Sequence, residues 1–246
     1  MRAIILAAGL GSRLRNFKGN IPKILIKIGG RTLLERHLKI LSRLGIKDIV
    51  IGVGYKSNLV LKELQRLKYT NVELIYNPNF EDGSIVTLQT LAPALIKGGD
   101  VIIMDGDVLY DQRILERLIN SPYNNCFLLD KNVEPGEEPM KLGIRNGSPV
   151  DFRKNLTEPY DYFGESVGFF KFTANTAYSL TQITNEIILS GLNETYMEEA
   201  IRHELLSNPK NFAFEDITGL PWIEIDFAKD LVRAEKEILP SIISRN

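Results

Sequence analysis

Arg13 and Lys23 flank a stretch of backbone that could hold phosphates, and Asp105 and Asp107 stand one residue apart where they could hold a metal ion. The two cations belong to Ala3-Ile4-Ile5-Leu6-Ala7-Ala8-Gly9-Leu10-Gly11-Ser12-Arg13-Leu14, closed by Pro22-Lys23. The apolar run Ala3 to Leu6 reads as a buried strand that breaks into a turn, where glycines permit positive φ and close approach of a ligand. Backbone N–H groups with two fixed cations make a cradle for a polyphosphate. Leu14 occupies the third glycine position of a dinucleotide fingerprint, and no Gly-Lys-Ser/Thr follows, so neither that motif nor a Walker loop is present. A strand followed by Gly-x-Gly is alone no more than a strand-to-helix turn. The added Ser12-Arg13 and Pro22-Lys23 favour phosphate.

Alternate residues of a strand share a face, so Asp105 and Asp107 can point together, and an oxygen-only donor set suits Mg²⁺ or Mn²⁺. The competing reading is a turn in which an aspartate caps the next helix, which fits Asp105 better than Asp107. Asp226 ends the similar run Ile223-Glu224-Ile225 and either completes the metal site or caps a helix starting at Ala228. If the cradle holds a nucleoside triphosphate, Lys23 would neutralise the α-phosphate and Arg13 would grip the leaving pyrophosphate. A phosphate-monoester acceptor, with a second pKa of about 6, is mostly a dianion at neutral pH and needs no general base. That suits a chain with two histidines, His37 and His203. His37 falls on the apolar face of a predicted helix, where a packed imidazole is favoured over a catalytic base.

The elements that must position these groups follow an α/β pattern. Helical spacing predicts a helix from Thr32 to about Leu44, with strands at Ile24–Ile28, Asp48–Val53 and Val72–Tyr76 and a helix from Ser57 to about Lys68. This β-α-β-α-β run implies a mostly parallel sheet with helices on both faces. The polar loop Asn77–Ser84 leads to a helix over Ile85–Leu95, and the strand Asp100–Met104 stops at Asp105-Gly106-Asp107. Ligands of open α/β sheets bind beyond the carboxyl ends of strands, and three polar clusters converge there. The second half changes character. Cys126–Leu129, Lys141–Ile144, Val150–Phe152 and Val167–Phe172 read as strands without intervening helices, hence antiparallel additions able to wall an acceptor pocket. Helices are expected at Gln112–Ile119, Ala174–Leu189, Glu194–Leu206 and Ala228–Ile238. The segment Glu134–Pro139 has the composition of a mobile loop, either a lid or plain surface. With no repeat and no clear linker, one domain over 1–246 is expected, about 1–120 facing the nucleotide and about 121–246 the acceptor.

The glycine loop and Pro22-Lys23 resemble the signature of the sugar nucleotidyltransferase superfamily, glycosyltransferase-A-like proteins. The likeness extends over essentially the whole chain. It implies that fold, a Rossmann-like parallel sheet with antiparallel additions. Asp107 and Asp226 match the family's metal ligands, and Arg13, Lys23 and Asp107 its catalytic residues. Gly83-Ser84-Ile85, Gly164–Phe170 and Gly219–Asp226 resemble the phosphocholine and 2-aminoethylphosphonate cytidylyltransferase group. The resemblance implies a nucleotide site of Leu6, Ala7, Ala8, Gly9, Gly11, Ser12, Arg13, Lys23, Gly83, Ser84 and Asp105, with CTP as donor and Mg²⁺ as cofactor. It places the acceptor against Glu165, Tyr196, Glu198 and Trp222, aromatics and carboxylates that suit a cationic amine. The aromatic cage is sparser than in phosphocholine enzymes, so a primary ammonium or a phosphorylated alcohol fits as well as choline. The rival readings are a sugar-1-phosphate or inositol-phosphate nucleotidyltransferase, a molybdopterin nucleotidyltransferase, and a non-catalytic nucleotide sensor.

Bulk properties agree. The 246 residues carry a formal net charge of -1, which advertises no nucleic-acid partner. Cys126 is the single cysteine, excluding an intrachain disulfide and a cysteine zinc site, and its apolar setting predicts a buried thiol. No apolar run approaches the ~20 residues of a membrane span, and no signal-like segment opens the chain, so a cytoplasmic protein is expected. Oligomeric state is left open, a homodimer included.

Overall fold

The computed structural model describes residues 1–14, 20–133 and 139–243. In chain order, β1 (Arg2–Ala7) gives way to a 3₁₀ turn at Ser12–Leu14 and a second at Lys23–Leu25. The short strands β2 (Lys27–Ile28) and β3 (Arg31–Thr32) pair with each other before α1 (Leu33–Arg43), β4 (Asp48–Val53), α2 (Ser57–Leu67) and β5 (Val72–Tyr76). There follow α3 (Ser84–Thr90), α4 (Ala92–Leu95), β6 (Val101–Asp105), β7 (Val108–Tyr110), α5 (Gln112–Asn120) and β8 (Asn125–Leu129). The second half supplies β9 (Lys141–Arg145), β10 (Ser148–Arg153), β11 (Tyr162–Glu165), β12 (Phe169–Phe172), α6 (Ala174–Leu189) and α7 (Met197–Ser207). It ends with β13 (Phe212–Asp216), β14 (Trp222–Glu224), α8 (Ala228–Arg233), a π turn at Ala234–Ile238 and α9 (Leu239–Ile243).

Seven strands form one sheet in the order β13-β8-β12-β6-β1-β4-β5. β1 runs parallel to β4 and β6, β4 to β5, and β13 to β8, whereas β12 is antiparallel to both neighbours. The chain leaves β1 toward β4 and β5 and then crosses back to place β6 on the other side of β1. That reversal opens a crevice at the carboxyl ends of β1 and β6, where Leu6 is in register with Asp105. β9, β10 and β11 form a separate antiparallel sheet, and β14 pairs antiparallel with β7.

Alternation along β1 sorts its side chains into two cores. Ile4 and Leu6 join the layer containing α3, α6, α7 and the rings of Phe127, Phe152, Phe170, Phe172 and Phe212. Ala3 and Ile5 face the opposite layer, with Leu34, Leu38 and Leu41 of α1 and Ile114, Leu115 and Leu118 of α5. α1 starts where predicted because the Thr32 hydroxyl accepts from the Glu35 N–H at 3.1 Å, and Gly45 ends it with φ +76. A third cluster joins Ile26, Ile28, Leu33, Leu109, Ile223 and Ile225 to the C-terminal turns and braces β14.

Three expectations shift. Ile24–Ile28 is a 3₁₀ turn followed by a two-residue strand, because Ile24 and Leu25 pack into one core while Ile26 and Ile28 pack into another. β7 and β11 were not anticipated; each is at most four residues long, too short for period-two alternation to register. The last helix loses α geometry after Arg233, with Pro240 unable to donate to a helical ladder. The segment Glu134–Pro139 read as lid or surface loop falls on 134–138, outside the described residues. Cys126 is buried, and burial pushes its thiol up to about 11. No described helix is long and apolar enough to cross a membrane.

Candidate active site

A cavity of about 470 Å³ opens at the crevice between β1 and β6. The loop after β1 forms its floor. Leu14 is fully buried and anchors the 3₁₀ turn, whose Leu14 N–H donates to Gly11 O at 3.1 Å. Gly11 takes φ +55, which its missing Cβ allows. On the neighbouring turn, Gly106 N–H donates to Leu6 O at 3.0 Å, and a Cβ on Gly106 would lie 2.9 Å from that same oxygen. The two strand ends therefore touch through a glycine, which brings Asp105 and Asp107 beside the loop.

Lys23 crosses this junction. Its Nζ donates to Asp107 Oδ2 at 2.7 Å and to Asp226 Oδ1, and Arg13 Nη1 lies 3.6 Å from Asp226 Oδ2. Burial works against the Lys23 ammonium, but the Asp107 and Asp226 carboxylates outweigh it and hold the group above the ordinary lysine value. Asp226 does not cap α8. Its backbone N–H and that of Phe227 donate instead to Asp230 Oδ2, at 3.0 and 2.7 Å, which frees the Asp226 side chain to face Lys23. Nor do Asp105 and Asp107 cap α5, since Asp111 does so by accepting from Arg113 N–H at 2.9 Å.

Asp107, Glu224 and Asp226 offer carboxylate oxygens within 4.8 Å of one another. All three donors are hard oxygens, so this set fits Mg²⁺ or Mn²⁺. Glu224 was not foreseen as a member. The signal was present, because Glu224 and Asp226 alternate along the β14 direction and so share a face. Its side chain is solvent-exposed, yet the protein packed around the carboxyl and then the Asp107 and Asp226 charges hold it above the usual range. Asp105 is raised likewise, by burial and then by Glu198, Asp107 and Glu224. It packs so closely on Gly168 that a Cβ there would collide with the carboxylate.

The wall opposite the glycine loop comes from two loops that lock together. Gly83 N–H donates to Asn193 O at 2.9 Å, and the Met197 N–H at the start of α7 donates to Ser84 Oγ at 2.8 Å. A Cβ at Gly83 would run into the backbone of Asn193, Glu194 and Thr195. Beyond them lie Tyr196, Glu198 and Lys154, the last with its Nζ 4.7 Å from the centre of the Tyr196 ring. Burial pushes Glu198 up to about 6. Lys154 was missed in the sequence, where it lies just past the predicted strand Val150–Phe152 in no recognisable motif.

The cavity thus brings together Leu6, Ala7, Ala8, Gly9, Gly11, Ser12, Arg13, Lys23, Gly83, Ser84, Asp105, Asp107, Tyr196, Glu198 and Asp226. It does not include Glu165 or Trp222. Glu165 is buried in β11, its backbone exchanging hydrogen bonds with Asp130. Trp222 pairs with Tyr110 and donates its indole N–H to Asp130 Oδ2 at 2.8 Å. His37 is buried beneath the aspartate turn, with Nε2 3.2 Å from Gly106 O.

Residues 3–153 match the MobA-like NTP transferase domain family. The chain belongs to that family. It is a nucleotidyltransferase-family protein with the glycosyltransferase-A-like fold, and the superfamily likeness of its glycine loop holds. Among curated relatives, it is 26% identical to CMP-5'-(3-aminopropyl)phosphonate synthase of Streptomyces rubellomurinus, over 98% of this chain and 39% of that one. It is 25% identical to CTP:phosphoglutamine cytidylyltransferase of Campylobacter jejuni, over 96% of this chain and 100% of the relative. The chain therefore spans about two fifths of the Streptomyces protein and the whole of the Campylobacter one. Among solved structures, the inositol-1-phosphate CTP transferase from T. maritima superposes with a TM-score of 0.74 at 21% identity, covering 96% of this chain and 97% of that one.

Proposed function

We propose that this protein is a Mg²⁺-dependent cytidylyltransferase that joins CTP to a small phosphorylated or phosphonate amine or alcohol. The observation that carries the reading is Lys23, held between Asp107 and Asp226 in the cavity that the glycine loop lines, with Lys154, Tyr196 and Glu198 lining the same cavity. In the reaction, an oxygen of the acceptor phosphate or phosphonate attacks the α-phosphorus of CTP. A new P–O bond forms, the bond from the α-phosphorus to the bridging oxygen breaks, and pyrophosphate leaves with that electron pair.

The chain's own groups suit each part of this transfer. Gly9, Gly11 and Ser12 would present backbone N–H groups to the triphosphate, while Ala7, Ala8 and the Gly83–Ser84 turn would hold base and ribose. Lys23 would meet the charge that builds on the α-phosphate, and Arg13 the departing pyrophosphate. Asp107, Glu224 and Asp226 would hold Mg²⁺, which when bound supplies neutralising charge to the phosphates. Lys154, which lies over the Tyr196 ring, would add a third cation for the acceptor's oxyanion, and Glu198 beside it would take an ammonium on the acceptor. An acceptor that is already a dianion removes the need for a base, consistent with His37 being sealed in the core.

Relatives named for an aminopropylphosphonate and for phosphoglutamine support an acceptor that pairs a phosphorus oxyanion with an amine. The test is a panel of CTP, UTP, GTP and dTTP against aminoalkyl phosphates, aminoalkyl phosphonates, phosphocholine, inositol phosphate and sugar 1-phosphates, followed by pyrophosphate release. CTP with an amine-bearing acceptor should give the highest kcat/KM. Release confined to a sugar 1-phosphate would overturn the acceptor assignment.

A further inference from the structure

Asp151 is fully buried in β10, yet its carboxylate is completely used. Oδ1 accepts from Phe152 N–H at 2.9 Å and from Arg202 Nε at 2.6 Å. Oδ2 accepts from Thr157 N–H at 2.7 Å and Glu158 N–H at 3.1 Å, with the Thr157 hydroxyl at 3.3 Å. Burial alone would raise this carboxyl, but the Thr157 and Glu158 amides and Arg202 hold it below the usual range. The segment 152–158 therefore wraps around one carboxylate, and Lys154 sits within the wrap, its own carbonyl accepting from Lys141 Nζ at 3.0 Å.

Arg202 belongs to α7, the helix that opens at Met197 directly after Tyr196 and carries Glu198 in its first turn. Besides Asp151, its guanidinium reaches Thr157 Oγ1 at 3.2 Å and Glu199 Oε1 at 3.4 Å. One planar fork thus joins the Lys154 segment to the helix carrying Glu198. Apolar replacement of a buried ion pair is often neutral for stability, so stability alone is a weak reason for the pair. An apolar pair would not fix two backbone amides and a helix in one geometry.

We propose that Asp151 and Arg202 are positioning residues for the acceptor: together they set the spacing between Lys154 and the Tyr196–Glu198 end of α7. Neither side chain lines the cavity, so both act through the residues they hold. The proposal rests on the reading of Lys154, Tyr196 and Glu198 as the acceptor wall.

Steady-state kinetics of Arg202→Gln and Arg202→Lys, on protein checked for a folded melt, test it. Arg202→Gln should raise KM for the acceptor about tenfold, the size of losing one hydrogen bond to a charged group, and leave KM for CTP within about twofold. Arg202→Lys, which keeps a charge for Asp151 but not the fork, should recover part of the loss. An unchanged acceptor KM, or a CTP KM that rises in step, would overturn the assignment. Amide hydrogen exchange supplies a readout that needs no turnover. In Arg202→Gln, protection should fall together in residues 153–158 and 197–203; a fall in only one segment contradicts the coupling. Were the wild type to use no acceptor in the panel, the functional reading would fail, and the exchange result would still decide whether the pair couples the two segments.

Discussion

The Lys23 ammonium lies 2.7 Å from Asp107 Oδ2 although 84 residues separate the two in the chain. With Asp226 on its other side, Lys23, helped by Arg13 at 3.6 Å from Asp226, balances a cluster of carboxylates at the end of the sheet. Lys23→Ala should therefore do more than slow turnover. Without metal, Asp107, Glu224 and Asp226 would repel one another, and the melting temperature in EDTA should drop by about 5 °C, equivalent to about 2 kcal/mol. Millimolar Mg²⁺ should restore most of that drop while turnover stays at least about a thousandfold down. Thermal melts with and without Mg²⁺ check both parts. An unchanged melt in EDTA would show that Lys23 does not balance the cluster.

Glu224 separates metal affinity from fold. Glu224→Gln keeps the shape and removes the charge, and it should raise the Mg²⁺ concentration for half-maximal rate about tenfold, in the range seen when one supporting metal interaction is lost. Asp107→Ala should fold normally and lose turnover by orders of magnitude. A Mg²⁺ titration of initial rates reads both, and an unaltered half-saturation in Glu224→Gln would remove Glu224 from the set.

Two glycines at the cavity predict opposite outcomes. Nothing lies within 4 Å of a Cβ built on Gly9, and its φ is not left-handed, so Gly9→Ala should leave the melt within about 2 °C. Its methyl would stand in the phosphate cradle and should raise KM for CTP about tenfold. Gly83→Ala meets the backbone of residues 193–195, which cannot move aside cheaply, and should cost about 1–3 kcal/mol of stability. Urea denaturation beside kinetics distinguishes the two.

His37 sets a pH dependence of stability. Burial pushes its imidazole down to about 4 from an ordinary value near 6.5, with Gly106 O and Asp107 opposing in part. Between those values the unfolded chain binds a proton that the folded protein refuses. Stability is therefore fully present above about pH 6.5 and falls as pH drops toward 4, by about 3 kcal/mol from this group. Carboxylates titrate in the same window, so the difference between wild type and His37→Gln isolates the histidine. From pH 7 to pH 4.5 the wild type should lose more stability than His37→Gln; parallel curves would mean that His37 is not neutral in the fold.

Much of this was legible in the chain because the informative features are local. β1 announces itself by an unbroken apolar run and the glycine loop by its turn chemistry, and β6 stops at Asp105-Gly106-Asp107 just as its hydrophobicity ends. α1 is bounded by Thr32 and Gly45, which act within a few residues of themselves. Harder to read were groups whose role depends on distant partners. Lys154 stands in no recognisable motif until α7 brings Tyr196 over it, and Asp151 looks like one more strand-edge acid until Arg202 reaches it from 51 residues away. Trp222 and Glu165 were assigned to the acceptor by the family resemblance, and here the indole N–H and the β11 backbone are both engaged with the buried Asp130.

³¹P NMR of the reaction decides whether the Lys23–Asp107–Asp226 centre carries out nucleotidyl transfer. The protein is incubated with CTP, Mg²⁺ and an aminoalkyl phosphonate or phosphate, and the same mixture is run with Asp107→Ala. The wild type should give pyrophosphate and a CMP-linked acceptor in equal amounts, and Asp107→Ala should give neither on the same timescale. Orthophosphate with CDP, or equal product from Asp107→Ala, would rule out nucleotidyl transfer at this centre.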